Sequence, residues 1–249
     1  MAIAFDESDY AETSASATSL DVTGVVVDAE DFLLGLSSCF DGGGVSTMAV
    51  SHSEGSWTAP AGTPVLADAN GGAFINYFNN SGGGTFTVTF TPGGGSSDID
   101  AVVIEVSGAA SSAFDQYVEA TGTFTSSAGG TATVTTGTLA QANNLIFTVL
   151  THNGANRTFT EDAAYTLVAE DEDNATSQAF HSQRITTATS DTGAKTATVA
   201  LGTAAGEDTV TWAIAAIVVK EAAAGGRTTK NTRGFPLGME IGMGWRMPL

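Results

Sequence analysis

From Thr85 to Phe90 the chain reads Thr-Phe-Thr-Val-Thr-Phe, with glycine triplets at 82–84 and 93–95 on either side. Phe86, Val88 and Phe90 share one face and the three threonines the other, the period of an extended strand with one buried side. Glycine reaches the positive φ that tight hairpin turns require, so the triplets mark the strand's ends. Similar short apolar runs, separated by Gly, Ser, Thr and Asn, recur at residues 19–27, 31–38, 45–50, 74–78, 100–107, 117–125, 131–136, 144–151, 164–169, 178–185, 194–201 and 209–219. Such spacing predicts an all-β fold, an antiparallel β-sandwich of jelly-roll-like type.

Two runs break the alternation, Ala101 to Val106 (AVVIEV) and Trp212 to Val219 (WAIAAIVV). Continuous apolar strands are buried on both faces or lie under loops, so these two are core. Each follows a threonine-alternating strand, and FLLGLSS (Phe32 to Ser38) is matched later by LIFTVLT (Leu145 to Thr151). The spacing is 111 residues from Val88 to Val199 and 113 both from Ile104 to Ile217 and from Leu33 to Ile146, which predicts two related halves within residues 1–222. We expect the halves to interleave in a single jelly roll, the other arrangement being two tandem small sandwiches.

Residues 223–234 are Ala, Gly and polar or basic residues without core-forming content, a flexible linker. In the arm that follows, residues 235–249, every odd position is large and apolar: Phe235, Leu237, Met239, Ile241, Met243, Trp245, Met247 and Leu249. The even positions are Pro, Gly, Glu or Arg. Extended, the arm is a one-sided ridge of about 50 Å at about 3.3 Å per residue. Each large side chain favours burial by roughly 1.5–3 kcal/mol, so the ridge needs a surface to land on. Prolines near both ends suit an added edge strand, and three methionines suit an adaptable contact. We expect the arm to dock on a neighbouring copy or another subunit, folding back being the alternative.

Charge is divided in the same place. Residues 1–219 hold three basic residues against 25 acidic, whereas residues 220–249 hold five basic against two acidic, within a net charge of −19. A body so acidic repels nucleic acid and anionic lipid, while the basic linker is drawn to acidic surfaces. No apolar run exceeds eight residues, against roughly 20 for a spanning helix, and MAIAFDESDY lacks the basic and apolar regions of a signal peptide. We therefore expect no membrane partner and synthesis in a cytoplasm.

Residue types that carry chemistry are sparse. Cys39 is the single cysteine, beside Phe40 and far from any base, and reads as a small buried hydrophobe. His52, His152 and His181 make no metal-ligand spacing, although His152 follows one strand and His181 lies within another. The run Glu170-Asp171-Glu172-Asp173 reads as a solvated loop, with Glu170, Asp171 and Asp173 as metal candidates and calcium as the ion. Asp98 and Asp100, beside Ser96 and Ser97, repeat that idea; no other cofactor is expected. Trp57, Tyr77, Tyr117 and Tyr165 are the aromatics available to stack on a sugar. With no nucleophile–base pattern, we expect no enzyme.

Segments MAIAFD, FINYF followed by TFTVTF, AVVIEVSGAASSAFDQ, GGTATVTTGTLAQANNLIFTVLTHNG and DTVTWAIAAIVVKEA occur in this order. Over about residues 1–222 this pattern resembles jelly-roll-like β-sandwich domains of tailed-phage virion proteins and bacterial surface proteins. The resemblance implies a virion structural protein, a capsid decoration or tail-associated component that contacts other copies of itself and other virion proteins. It carries no catalytic residues. The alternative reading is a carbohydrate-binding module for a host glycan.

Overall fold

The computed structural model describes residues 2–223 apart from 14–16, 41–43, 45–46, 80, 95–97, 126–127, 155–156, 172–177 and 204–208. The eight arm residues, and almost all of the linker, lie outside the described residues. Every regular element described is a strand and every pairing is antiparallel. The first half runs β1 (Ala4–Glu12), β2 (Leu20–Val27), β3 (Phe32–Phe40), β4 (Met48–His52), β5 (Gly55–Ser56), β6 (Val65–Leu66), β7 (Gly71–Phe78), β8 (Gly84–Pro92) and β9 (Asp98–Ser107). The second runs β10 (Ala109–Phe124), β11 (Gly130–Thr135), β12 (Asn144–Asn153), β13 (Phe159–Glu161), β14 (Tyr165–Asp171), β15 (Gln178–Ile185), β16 (Thr196–Leu201) and β17 (Val210–Glu221).

Each half builds a large and a small sheet from its own strands. The large sheets have the orders β1-β9-β3-β7-β6 and β10-β17-β12-β15-β14; the small ones are β2-β8-β4-β5 and β11-β16-β13. Apart from the two-residue β5, each strand of the first half has a counterpart in the second at the same place in its sheet. Registers agree as well: Leu34 faces Ile104 and Phe147 faces Ile217, both pairs displaced by the 113 residues seen in the sequence. The halves are thus tandem and not interleaved, which corrects the expectation of a single jelly roll. Each half owns a full set of partners, so no ladder has to be completed by the other.

The halves meet face to face instead. Leu34, Leu36, Val102 and Ile104 from the first large sheet pack with Phe147, Val149, Ala215 and Ile217 from the second in one shared core. A second core, with Val22, Val88, Phe90, Leu33 and Val103, lies between the sheets of the first half, and a third, with Val134, Val199, Ile146 and Ile214, between those of the second. Four sheets therefore enclose three cores. This is why β9 and β17 have lost their alternation: both of their faces are inside. Polar and aromatic contacts reinforce the seam. Tyr77 stacks on Phe114 at 5.4 Å, Arg184 lies 4.5 Å over the Phe5 ring, and Asn153 Nδ2 donates to Asp68 Oδ2 at 2.7 Å.

Among the described residues, breaks in register fall only on ladders that include an edge strand: β1 between Phe5 and Glu7, β2 between Thr23 and Val25, β10 on both sides of Phe114, and β14 between Leu167 and Ala169. Ladders between interior strands run unbroken. A bulge bends an edge and spoils it as a template for a stray strand. At the β2 bulge Gly24 takes φ +81°, a conformation that other residues adopt only with strain.

Candidate functional site

Glu170 and Asp171, expected in a solvated loop, are the last two residues of β14, so their side chains leave opposite faces of the sheet. The ladder to β15 persists to their positions, Glu170 opposite His181 and Asp171 opposite Phe180, which overturns the loop reading. Asp173, the third candidate, lies outside the described residues. Asp98 and Asp100 likewise belong to a strand, β9, and both are buried.

On the face turned to the first half, Asp171 meets Asp100 and Glu12, one carboxylate oxygen of each lying within 4.8 Å of the others. The two acidic segments singled out in the sequence are thus brought together, along with a residue that was not. Asp100 is 1 % exposed; it accepts hydrogen bonds from Ser38 Oγ at 3.1 Å and from Tyr10 Oη at 3.1 Å. Tyr10 Oη also lies 2.9 Å from Glu12 Oε2. Burial, and then the neighbouring charges of Asp171 and Asp98, push the Asp100 carboxyl up to about 8, and burial likewise raises the Tyr10 phenol. At neutral pH Asp100 therefore keeps its proton, which lets carboxyl groups from both halves stand this close. With Asp100 ionised as well, the three carboxylates would be a partial shell for a hard cation such as calcium, which takes six to eight oxygens.

On the other face Glu170 meets His181 and Glu161, again with one donor atom of each within 4.8 Å of the others. His181 Nδ1 stands 3.4 Å from Glu170 Oε2. His181 points into the core of the second half, as does His152, and both rings pack on Phe159, with centroids 5.0 and 5.7 Å away. Burial drives both imidazoles down to about 4, so both are neutral at pH 7. The pairing of these histidines through the fold, imaginable from sequence, takes the form of a shared aromatic neighbour. Glu12 and Glu161 escaped notice because neither sits in a motif: one lies in an acidic strand not recognised as such, the other in a strand of three residues.

The remaining candidates are occupied with packing. His52 is enclosed by Phe78 and Phe86 at 4.6 and 4.8 Å, and its Nδ1 accepts from Trp57 Nε1 at 2.9 Å. That bond places the ring proton on Nε2, which faces Glu54 Oε2 at 3.4 Å. Trp57 and Tyr165 are buried, and Tyr77 is stacked between Phe32 and Phe114, so these three aromatics present no open platform to a sugar. Cys39 is a buried thiol without a disulfide. Among the described residues no helix is long and apolar enough to cross a membrane. No protein-family model, curated protein or solved structure matches the chain.

Proposed function

We propose that this chain is a non-enzymatic assembly protein, a virion structural component of the decoration or tail-associated kind, fastened to its neighbours by residues 235–249. The observation that carries this reading is the arm itself: eight large apolar residues at consecutive odd positions, beyond a basic linker and an acidic body. Such a ridge gains its free energy only on contact, and strand addition to a partner's sheet would also satisfy its backbone. The fold is compatible with this role. Two sandwiches fused through a shared core make a stiff block, and its bulged edges discourage indiscriminate pairing, leaving association to a dedicated element. A highly charged surface keeps such a block soluble at high local concentration.

Removal of residues 227–249 tests the reading. The truncated chain is expected to stay folded by circular dichroism while losing self-association in light scattering, or losing incorporation into particles. A truncated chain that unfolds, or that associates as the full chain does, contradicts it.

A further inference from the structure

We propose that Glu161, Glu170 and His181 form a binding site for a divalent transition-metal ion, with zinc as the ion that suits the donors best. The three residues come from β13 of the small sheet and from β14 and β15 of the large sheet. An ion held by all three would clasp the two sheets of the second half across the mouth of their core. The site is independent of the arm and of the assembly role.

Geometry is the first support. Tetrahedral zinc, with bonds of about 2.0–2.1 Å to nitrogen and oxygen, holds its ligands about 3.3 Å apart. His181 Nδ1 and Glu170 Oε2 already stand at 3.4 Å, and Glu161 brings a carboxylate oxygen within 4.8 Å of one donor atom of each residue. Glu161 and Glu170 are partly exposed, so they have room to close the remaining gap and water has access to the open position. The donor set then selects the ion. Calcium and magnesium take oxygen, whereas an imidazole nitrogen beside two carboxylates is a set for a borderline ion.

The state of His181 is the second support. The residue is 0 % exposed, and its Nε2 is buried without a hydrogen-bond partner. Gln183, also 0 % exposed, acts on the ring, and its Oε1 too is buried without a partner. Were Nε2–H to donate to Gln183 Oε1, that bond would fix the ring in the orientation and tautomer a metal-binding histidine needs. That tautomer would turn the Nδ1 lone pair toward the Glu170 carboxylate at 3.4 Å, where a cation would be held by both.

The first half supplies an internal control. By register, Ser37 opposite Phe74 corresponds to Leu150 opposite His181, so Phe74 holds the place of His181 in the other half. Phe74 is wholly buried in the apolar core between the sheets of the first half. The fold therefore accepts a plain hydrophobe at this position, and packing alone does not call for an imidazole there.

The test uses the full chain, stripped with a chelator and titrated with zinc chloride or calcium chloride, reading heat of binding and thermal midpoint. One equivalent of zinc is expected to bind and raise the midpoint, with no comparable effect of calcium. Glu161→Gln, Glu170→Gln and His181→Phe are each expected to weaken zinc binding at least about tenfold. The two glutamine variants are isosteric changes at partly exposed residues and guard against loss of fold. Absence of zinc binding, or binding that survives Glu170→Gln and His181→Phe unchanged, would overturn the proposal.

Discussion

The ring of Tyr10, on the outer strand of the first half, stacks on Phe180 of the second with centroids 5.9 Å apart and planes 22° from parallel. Its hydroxyl reaches Asp100, so one side chain joins the seam between the halves to the buried carboxyl cluster. The seam is therefore an integral core, and its consequences can be measured.

Because the central core draws on both halves, the tandem is expected to unfold in one cooperative transition. In urea, fluorescence and circular dichroism should report coincident curves. Phe147 is wholly buried in that core, and Phe147→Ala should lower stability by about 3–5 kcal/mol without splitting the transition. Two separate transitions would mean that the halves are independent domains.

The dependence on pH follows from four buried groups. Asp100 is raised from 3.8 to about 8 and Glu105 from 4.5 to about 7, both chiefly by burial. The folded state thus holds two protons that the unfolded chain has lost, and stability falls as pH rises through these windows. His152 and His181 are lowered from 6.5 to about 4, so the unfolded chain binds two protons that the folded state refuses, and stability rises with pH up to 6.5. Between about 4.5 and 6.5 the two effects oppose each other and the metal-free protein should show a nearly flat curve. Above 6.5 only the acids act, and stability should fall by about 2 kcal/mol by pH 8 at roughly 1.4 kcal/mol per proton and pH unit. Thermal midpoints across pH check this, and Asp100→Asn should remove most of the alkaline decline.

How much of this was legible in the sequence depended on whether a residue's neighbours were local. Thr85 to Phe90 announced β8 by alternation, and AVVIEV and WAIAAIVV announced strands enclosed on both faces. The layer enclosing each of them was not legible, because packing of one sheet on another leaves no period of its own. β1 was missed since Ala4–Glu12 mixes acids and apolar residues on both faces, as an outer strand half in water can. The Asp100–Asp171 and Glu161–Glu170–His181 groups depend on register between strands distant in sequence. One register step would send each side chain to the other face.

His181→Phe copies into the second half what Phe74 does in the first. In the metal-free protein it should stabilise by about 1 kcal/mol, by removing a buried nitrogen that lacks a partner. The rise of stability with pH below 6.5 should lose one proton's share, so the flat stretch should become a decline.

Gly24→Ala separates strain from crowding. An added Cβ would meet no atom within 4 Å, yet φ is +81°. A loss of about 1–2 kcal/mol in chemical denaturation is expected from backbone conformation alone. No change would show that the β2 edge relaxes freely around its bulge.

The proposed assembly role rests on residues 235–249, and light scattering of the full chain beside a chain ending at residue 226 measures it most directly. The account expects the full chain to form a higher-order species that is lost on truncation, with the truncated sandwich pair folded and monomeric. Equal masses for the two forms, or an unfolded truncated chain, would contradict the claim that the arm is the assembly device.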